Sequence, residues 1–386
     1  MSLSESTPVS RPSVAVIGAG IIGLSIGWRL AEAGCRVAVY EQGRAGHGAS
    51  RAAAGMLAAN VEVEPGEEPL VPLCRDSASL WPGFAAALEA ASGLPVELRR
   101  EGTMVVALTR DDVEMLRNTY GFQAGQGLPL TWLTGAQAKE REPFLNPRTA
   151  AAVWSPEDIQ VNNRAVMAAL RVALTRAGGT LHEQAKVDAV LVEAGRARGL
   201  VVGGREIATD VVVLAAGAWS KLVGGLPAAA VPPVRPVKGQ MLSVAMDPAR
   251  PLLRHVVWGP KGYLVPRLDG TLIIGGTTEE KGWDDQLTAG GMLALLDAAW
   301  RVLPGVEELP VTETWCGFRP GCRDDAPVLG PVSAVDGLVL ATGHHRNGIL
   351  LAPVTAETIV DLVLSGRVDP RIAGFGLDRF AKAVAA

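Results

Sequence analysis

Six residues near the N-terminus, Gly18-Ala19-Gly20-Ile21-Ile22-Gly23, constrain this chain more than any other feature. They follow an apolar run, Val14–Ile17, and open a stretch that predicts a helix from about Ile22 to Ala33, with Gly34 as its stop. Arg36–Glu41 then predicts a second strand. A glycine motif alone is weak, but strand, glycine turn, helix and strand within about 30 residues form the βαβ unit that cradles a dinucleotide. Gly18 makes the tight turn off the strand, Gly20 lets backbone approach a pyrophosphate at the helix N-terminus, and Gly23 lets helix and sheet pack closely. Glu41 ends the second strand 18 residues past Gly23. There its carboxylate can accept hydrogen bonds from ribose hydroxyls and would repel a 2′-phosphate. On these residues alone the nucleotide is either NAD or FAD.

At 386 residues the chain is long for one core, so two interleaved domains are expected. Residues 45–60 are rich in Gly, Ala and Ser and read as a loop entering a helix. Leu70–Ser92, Asp111–Tyr120 and Asn163–Ala177 predict helices; Gly102–Leu108, Lys186–Val192, Gly199–Val202 and Asp210–Ala215 predict strands. Between about 235 and 320 the texture turns strand-rich, and Asp269-Gly270 between alternating apolar runs signals a hairpin. This stretch predicts an antiparallel sheet. After Val328–Gly330 the pattern returns to strand, loop and helix. The expected class is therefore mixed α/β and α+β, a Rossmann-type domain with an interleaved antiparallel-sheet domain. Residues 1–12 would be a disordered tail, 13–95, 150–230 and 320–386 the nucleotide domain, and 96–149 and 231–319 the substrate domain.

Composition excludes several other classes. A net charge of −4 argues against nucleic acid, whose phosphates call for clustered Lys and Arg. No apolar stretch approaches the roughly 20 residues that span a bilayer. The polar first residues lack a signal peptide's apolar core, which points to the cytoplasm. Cys35, Cys74, Cys316 and Cys322 have no zinc spacing, and there is no HExxH, so no metal is expected.

Two features favour FAD. A second glycine-bearing strand end, VVVLAAGAWS, brings in Ala216, Gly217 and Trp219. The segment GHHRNGILLAP sets loop backbone just before a helix that has Pro353 in its first turn. A helix N-terminus aimed at a flavin's N1–C2=O edge would stabilise the reduced form by roughly 0.3–2 kcal/mol.

With these residues together, the chain resembles the D-amino-acid oxidase superfamily of FAD-dependent oxidoreductases, and within it the glycine oxidase branch associated with thiamine biosynthesis. The resemblance runs from Val14 to about Phe380 through VIGAGIIGLSIGWRLAEAG, SRAAAGML (Ser50–Leu57), PVKGQ (Pro236–Gln240), GYLVPR (Gly262–Arg267), GFRPGCRDDAPVLG (Gly317–Gly330) and GHHRNGILLAP (Gly343–Pro353). It implies noncovalent FAD, its adenosine end at Gly18, Gly20, Ile21, Ile22 and Gly23 with Glu41 and Gln42. The pyrophosphate and flavin would lie along Ser50, Arg51, Ala53, Ala54, Gly55 and Met56, with Val187 near the adenine and Ala216, Gly217 and Trp219 also in contact. Arg51 would either touch the pyrophosphate or cap a helix. His344, His345, Arg346, Asn347, Gly348, Ile349 and Leu350 would line the flavin edge.

The resemblance also assigns Arg319 to the substrate carboxylate, Tyr263 to holding the substrate, and Arg346 to the same neighbourhood. A guanidinium fits a carboxylate bidentately, fixing orientation as well as charge. The implied reaction is oxidative deamination of glycine and other small amino acids or amines. Hydride passes to the flavin, O2 is reduced to H2O2, and the imine either hydrolyses or is captured for thiazole synthesis. No side-chain base is obligatory, because the neutral amine supplies the electron push. A homo-oligomer, a tetramer, is implied as well. The alternatives are a D-amino-acid dehydrogenase that passes electrons to a quinone, and a flavin-binding subunit without turnover. Two positions depart from relatives: Lys261 stands where some carry histidine, and Thr278 where others carry methionine or an oxygen-activating lysine. Cys316 and Lys238 read as packing and structural residues.

Overall fold

The structure is a computed structural model that describes residues 11–384. The expected tail therefore lies outside the described residues, except for Arg11 and Pro12. Two sheets organise the chain. The first has nine strands, with a parallel centre ordered Val335–Thr342, Val211–Leu214, Ser13–Ile17, Arg36–Tyr40 and Thr180–His182. A strand buried on both faces must be apolar along its buried length, and the strand Ser13–Ile17 is so from Val14 onward. Val14 and Val16 pack into a helical layer with Leu24, Trp28, Leu170 and Ile359. Ala15 and Ile17 face the other way, onto Val190, Leu200 and Leu338. The helical layer comprises Ile21–Glu32, Val71–Ser92, Asn163–Arg176 and Ala352–Ser365. The hairpin strands Val187–Glu193 and Arg196–Val202 extend the sheet with Arg205–Ala208.

The second sheet has eight strands, ordered Val311–Gly321, Arg235–Ala245, Thr271–Gly275, Gly262–Pro266, Val256–Gly259, Thr103–Ala107, Ala151–Ser155 and Thr131–Thr134. It is antiparallel except where Val256–Gly259 runs parallel to Thr103–Ala107. The Asp269-Gly270 hairpin joins Gly262–Pro266 to Thr271–Gly275.

Three details differ from expectation. Ala151–Ser155 was placed with the nucleotide domain but pairs with Thr103–Ala107 in the second sheet. Its five residues are all buried, so its pattern carries no face to say which sheet it joins. The strand Val311–Gly321 runs unbroken across the expected boundary at 319/320. The helix expected over Asp111–Tyr120 spans Arg110–Gly125, started by a reciprocal cap between Thr109 and Asp112.

Candidate active site

One cavity of about 1020 Å³ runs from the glycine turn, between the two sheets, to the strands of the second. At its first end Gly18 adopts φ +103°, and a Cβ there would sit 2.5 Å from the carbonyl oxygen of Ala215. Gly20, Ile21 and Ile22 line the wall at the start of their helix. Gly23 does not line it. A Cβ on Gly23 would collide with the Gly18 carbonyl oxygen, so its work is close packing. The Glu41 carboxylate accepts from the backbone N–H groups of Ala19 and Gly43, both at 2.9 Å, and Glu41 and Gln42 line the cavity.

Ser50 caps the glycine-rich helix from outside, its Oγ accepting the Ile21 N–H at 2.9 Å. The loop that carries it is held from below. Asn163 Nδ2 donates to the Ser50 carbonyl at 2.7 Å, and Arg267 Nη2 to the Ala54 carbonyl at 2.6 Å. Arg267 is buried, bonds also to Gln160, Val161 and Asn163, and has its pKa lowered to about 10 by desolvation. The GYLVPR motif thus supplies a structural arginine as well as Tyr263. Ala53, Ala54, Gly55 and Met56 face the cavity. Arg51 does not line it: its Nη2 lies 3.0 Å from Glu313, whose other carboxylate oxygen takes Arg164 at 2.7 Å. Neither expectation for Arg51 describes it; the partner that claims it lies 262 residues away in sequence.

Val187, Ala216, Gly217 and Trp219 line a further stretch of the cavity, Ala216 lying against Gly18. Over this stretch lies the segment 279–288, in which Trp283 packs on Trp219 and Phe318 at ring separations of 4.9 and 5.3 Å. Lys238 is fully buried and secures the segment, its Nζ donating to the Gln286 carbonyl at 2.5 Å with Asp284 at 3.5 Å. The structural reading of Lys238 therefore has a partner. Cys316 donates its thiol to the Asp285 carbonyl at 3.0 Å and does not line the cavity.

His344, His345, Arg346, Asn347, Gly348, Ile349 and Leu350 form the wall that leads into the helix Ala352–Ser365. His344 is buried with Nε2 3.1 Å from Thr355 Oγ1, and burial pushes its pKa down to about 3. Burial likewise pushes His345 down to about 4, so both imidazoles are neutral at pH 7. Arg346 lines the cavity while held by two carboxylates. Its Nη2 reaches both oxygens of Glu67 at 2.7 Å, and its Nε lies 3.2 Å from Glu62.

At the far end Arg319 and Tyr263 converge. A Cβ added to Gly276 would fall 3.0 Å from Tyr263 Oη and 3.2 Å from Arg319 Nη2. On Gly239 it would meet Arg319, and on Gly275 the Tyr263 ring, each at 2.5 Å. Three bare positions make room for the pair. Arg319 Nη1 donates to the Thr277 carbonyl at 3.0 Å, which fixes the guanidinium and leaves other N–H groups over. Met241, Trp258, Thr278 and Glu62 complete this end, and Lys261 is exposed at its rim. Sequence reading missed Glu62, Met241, Trp258 and Gly276. The Gly275-Gly276 pair ending an apolar strand was the available signal for the last.

A glycine turn bare of side chains, a carboxylate at the neighbouring strand end and a helix N-terminus facing the same cavity fit a flavin dinucleotide. Fold and site together define a two-sheet flavin-dependent oxidoreductase. The chain belongs to the FAD dependent oxidoreductase family, whose model matches residues 13–362. It is 37% identical over 371 residues to a glycine oxidase of Geobacillus kaustophilus, covering 96% of this chain and 97% of that protein. The crystal structure of glycine oxidase from that organism superposes with a TM-score of 0.88, over 96% of this chain and 99% of the other. A bifunctional ThiO/ThiG protein of Trichormus variabilis is 36% identical over 372 residues, where the match covers 96% of this chain but 55% of the longer protein. These relatives favour neither the quinone-linked dehydrogenase nor the subunit without turnover. Among the described residues no helix is long and apolar enough to cross a membrane, and no metal-ligand cluster occurs.

Proposed function

We propose that this protein oxidises the Cα–N bond of glycine and other small amino acids or amines, with O2 as the acceptor and H2O2 as a product. The observation that carries the reading is the convergence of Arg319 and Tyr263 at one end of a cavity whose other end is a dinucleotide cradle. When bound, FAD supplies a two-electron acceptor between those ends. Arg319 presents its remaining donors to the substrate carboxylate, and Tyr263 Oη donates alongside. Gly239, Gly275 and Gly276 keep that corner open, while Met241 and Trp258 bound it with apolar surface. Clamping the carboxylate fixes where Cα points, and fixed geometry accounts for much of the rate. The neutral His344 and His345 add no positive charge to compete with Arg319 for the carboxylate. The N-terminus of Ala352–Ser365 contributes a partial positive charge near Leu350, suited to the anionic side of a reduced flavin.

The imine then hydrolyses or enters thiazole formation, a reading supported by the ThiO/ThiG name of the Trichormus protein. We place the enzyme in the cytoplasm as a homo-oligomer, a tetramer. Leu293, Leu296 and Trp300 support the oligomer, being exposed along one face of the helix Ala289–Val302. The test is an anaerobic panel of glycine, sarcosine, D-alanine and D-proline. Bleaching of the flavin band by at least one, with peroxide on admitting air, is expected. A yellow protein that none of them bleaches refutes the proposal.

A further inference from the structure

One guanidinium, that of Arg346, stands between two carboxylates, Glu62 at 3.2 Å and Glu67 at 2.7 Å. With both ionised, the triad carries one negative charge more than it neutralises. Of this pair only Glu62 lines the main cavity, its side chain 13% exposed; Glu64 and, at the other end, Glu41 line it as well. Its backbone is fixed from beneath: the buried Asp158 accepts from the N–H groups of Asn60 and Val61 and from Asn60 Nδ2, at 2.8 to 3.0 Å. The charged and titratable groups facing Glu62 are Arg346, Glu67, Asp158 and Arg319, with Tyr263 and Cys74 beside them. The substrate end is therefore dipolar, with Arg319 on one side and the surplus carboxylate on the other.

A small amino acid in water is a zwitterion. With its carboxylate on Arg319, its ammonium still needs a counter-charge. It must also lose a proton before the nitrogen lone pair can close a C=N bond. We propose that Glu62 binds the substrate ammonium and accepts its proton, as the catalytic base of amine oxidation in this cavity. The assignment rests on the amino-acid-oxidase reading above. The Glu62 carboxylate takes one proton from R–NH3+, leaving a carboxylic acid and R–NH2. The freed nitrogen lone pair can then close the C=N bond of the iminium, for which bound FAD would supply the acceptor of the Cα–H electron pair. No further reactant is needed. Burial pushes the Glu62 carboxyl up to about 7, against the lowering pull of Arg346 and Arg319, so it exchanges protons near neutral pH.

The probes are 2-aminoisobutyrate, which has amine and carboxylate but no α-hydrogen, and pivalate, its isostere with methyl in place of amine. Each is titrated into the FAD-loaded protein and binding is read from the flavin absorbance. The unaltered protein should prefer 2-aminoisobutyrate by ~10-fold, the scale of one charge-assisted hydrogen bond. That preference should fade from about pH 8 to about pH 6 as Glu62 protonates. Glu62→Gln should bind both probes equally and keep its pivalate affinity. Its kcat/KM should rise about tenfold per pH unit, tracking free amine alone, and Glu62→Asp should restore part of the probe preference. Equal affinity of the two probes for the unaltered protein, or a failure of 2-aminoisobutyrate to bind, overturns the assignment. So does a Glu62→Gln protein that keeps the preference. A flavin that no small amino acid reduces refutes the oxidase reading itself. Reduction by amino acids that is indifferent to Glu62→Gln refutes only the role of Glu62.

Discussion

Replacing Arg319 by alanine tests the substrate end most directly. The guanidinium is held at Nη1 by the Thr277 carbonyl at 3.0 Å, and more weakly by the Lys238 carbonyl at 3.5 Å. Its other donors remain for a ligand at the Gly276 corner. Two hydrogen bonds to a carboxylate contribute about 1.5–3 kcal/mol each. Taking the low end of that range for both gives about 3 kcal/mol, or ~10²-fold in kcat/KM. The carboxylate is remote from the bond that breaks, so most of the loss should fall on KM, with a smaller fall in kcat from poorer orientation. Arg319→Lys keeps charge but loses the planar fork, and should recover only part of the affinity. Peroxide-coupled kinetics report the loss, and the flavin absorbance of the purified variant confirms that FAD is retained. Because Arg319 also pulls the Glu62 carboxyl down, the alanine variant should shift the acid limb of kcat/KM to higher pH. A KM within about threefold of the unaltered enzyme, under an intact flavin spectrum, would remove Arg319 from the carboxylate site.

Four further outcomes follow from the same geometry. Glu41→Ala should weaken FAD retention, measured as the flavin dissociation constant, without changing substrate preference; unaltered retention would refute the ribose assignment. Gly276→Ala should cut kcat/KM by at least ~10-fold, since its methyl would press on Tyr263 Oη, Arg319 Nη2 and, at 2.8 Å, Met241 Sδ; unchanged kinetics would show that the corner yields. Lys238→Met should raise amide exchange across 280–288 while FAD stays bound, because the tether to Gln286 and Asp284 is lost. Global stability should fall as pH rises from about 4 to about 7 and level off above, as burial raises Glu62 from 4.5 to about 7 and Asp158 from 3.8 to about 6. In that window the native state holds protons that the unfolded chain has lost. Glu62→Gln should flatten the trend in urea midpoints.

Legibility in the sequence followed the distance over which each feature is built. The dinucleotide cradle was readable because strand, turn, helix and acid lie within about 30 residues, and steric need fixes their types. Arg346 was placed in the right neighbourhood without a partner and Arg51 beside the wrong ones, since Glu67 and Glu313 reach them across 279 and 262 residues. Glu62 was invisible for a related reason. Its segment has no periodicity, and its role depends on an arginine from the far end of the chain. The helix Ala289–Val302 escaped because its outward face is apolar, with Leu293 70% and Trp300 47% exposed, so the usual contrast between faces is missing.

The same division separates what relatives of this fold must share from what they can vary. The cradle answers to one dinucleotide, and its glycines are set by neighbours already present, Gly18 by the Ala215 backbone, Gly23 by the Gly18 carbonyl and Gly20 by Ser50 Oγ. The substrate end draws on Val311–Gly321 for Arg319, on Gly262–Pro266 for Tyr263 and on the 60–67 segment for Glu62 and Glu67. None of these supplies a residue of the glycine turn, although Val311–Gly321 also braces the Ser50 loop through Glu313 to Arg51 and Trp315 Nε1 to the Ala52 carbonyl. A change at Arg319, Tyr263 or Glu62 itself can therefore retune charge and volume while the flavin stays seated. Substitutions of Glu62, Tyr263 or Trp258 should accordingly move substrate preference with FAD affinity held constant. Loss of flavin from all three would show that the two ends are one cooperative unit instead.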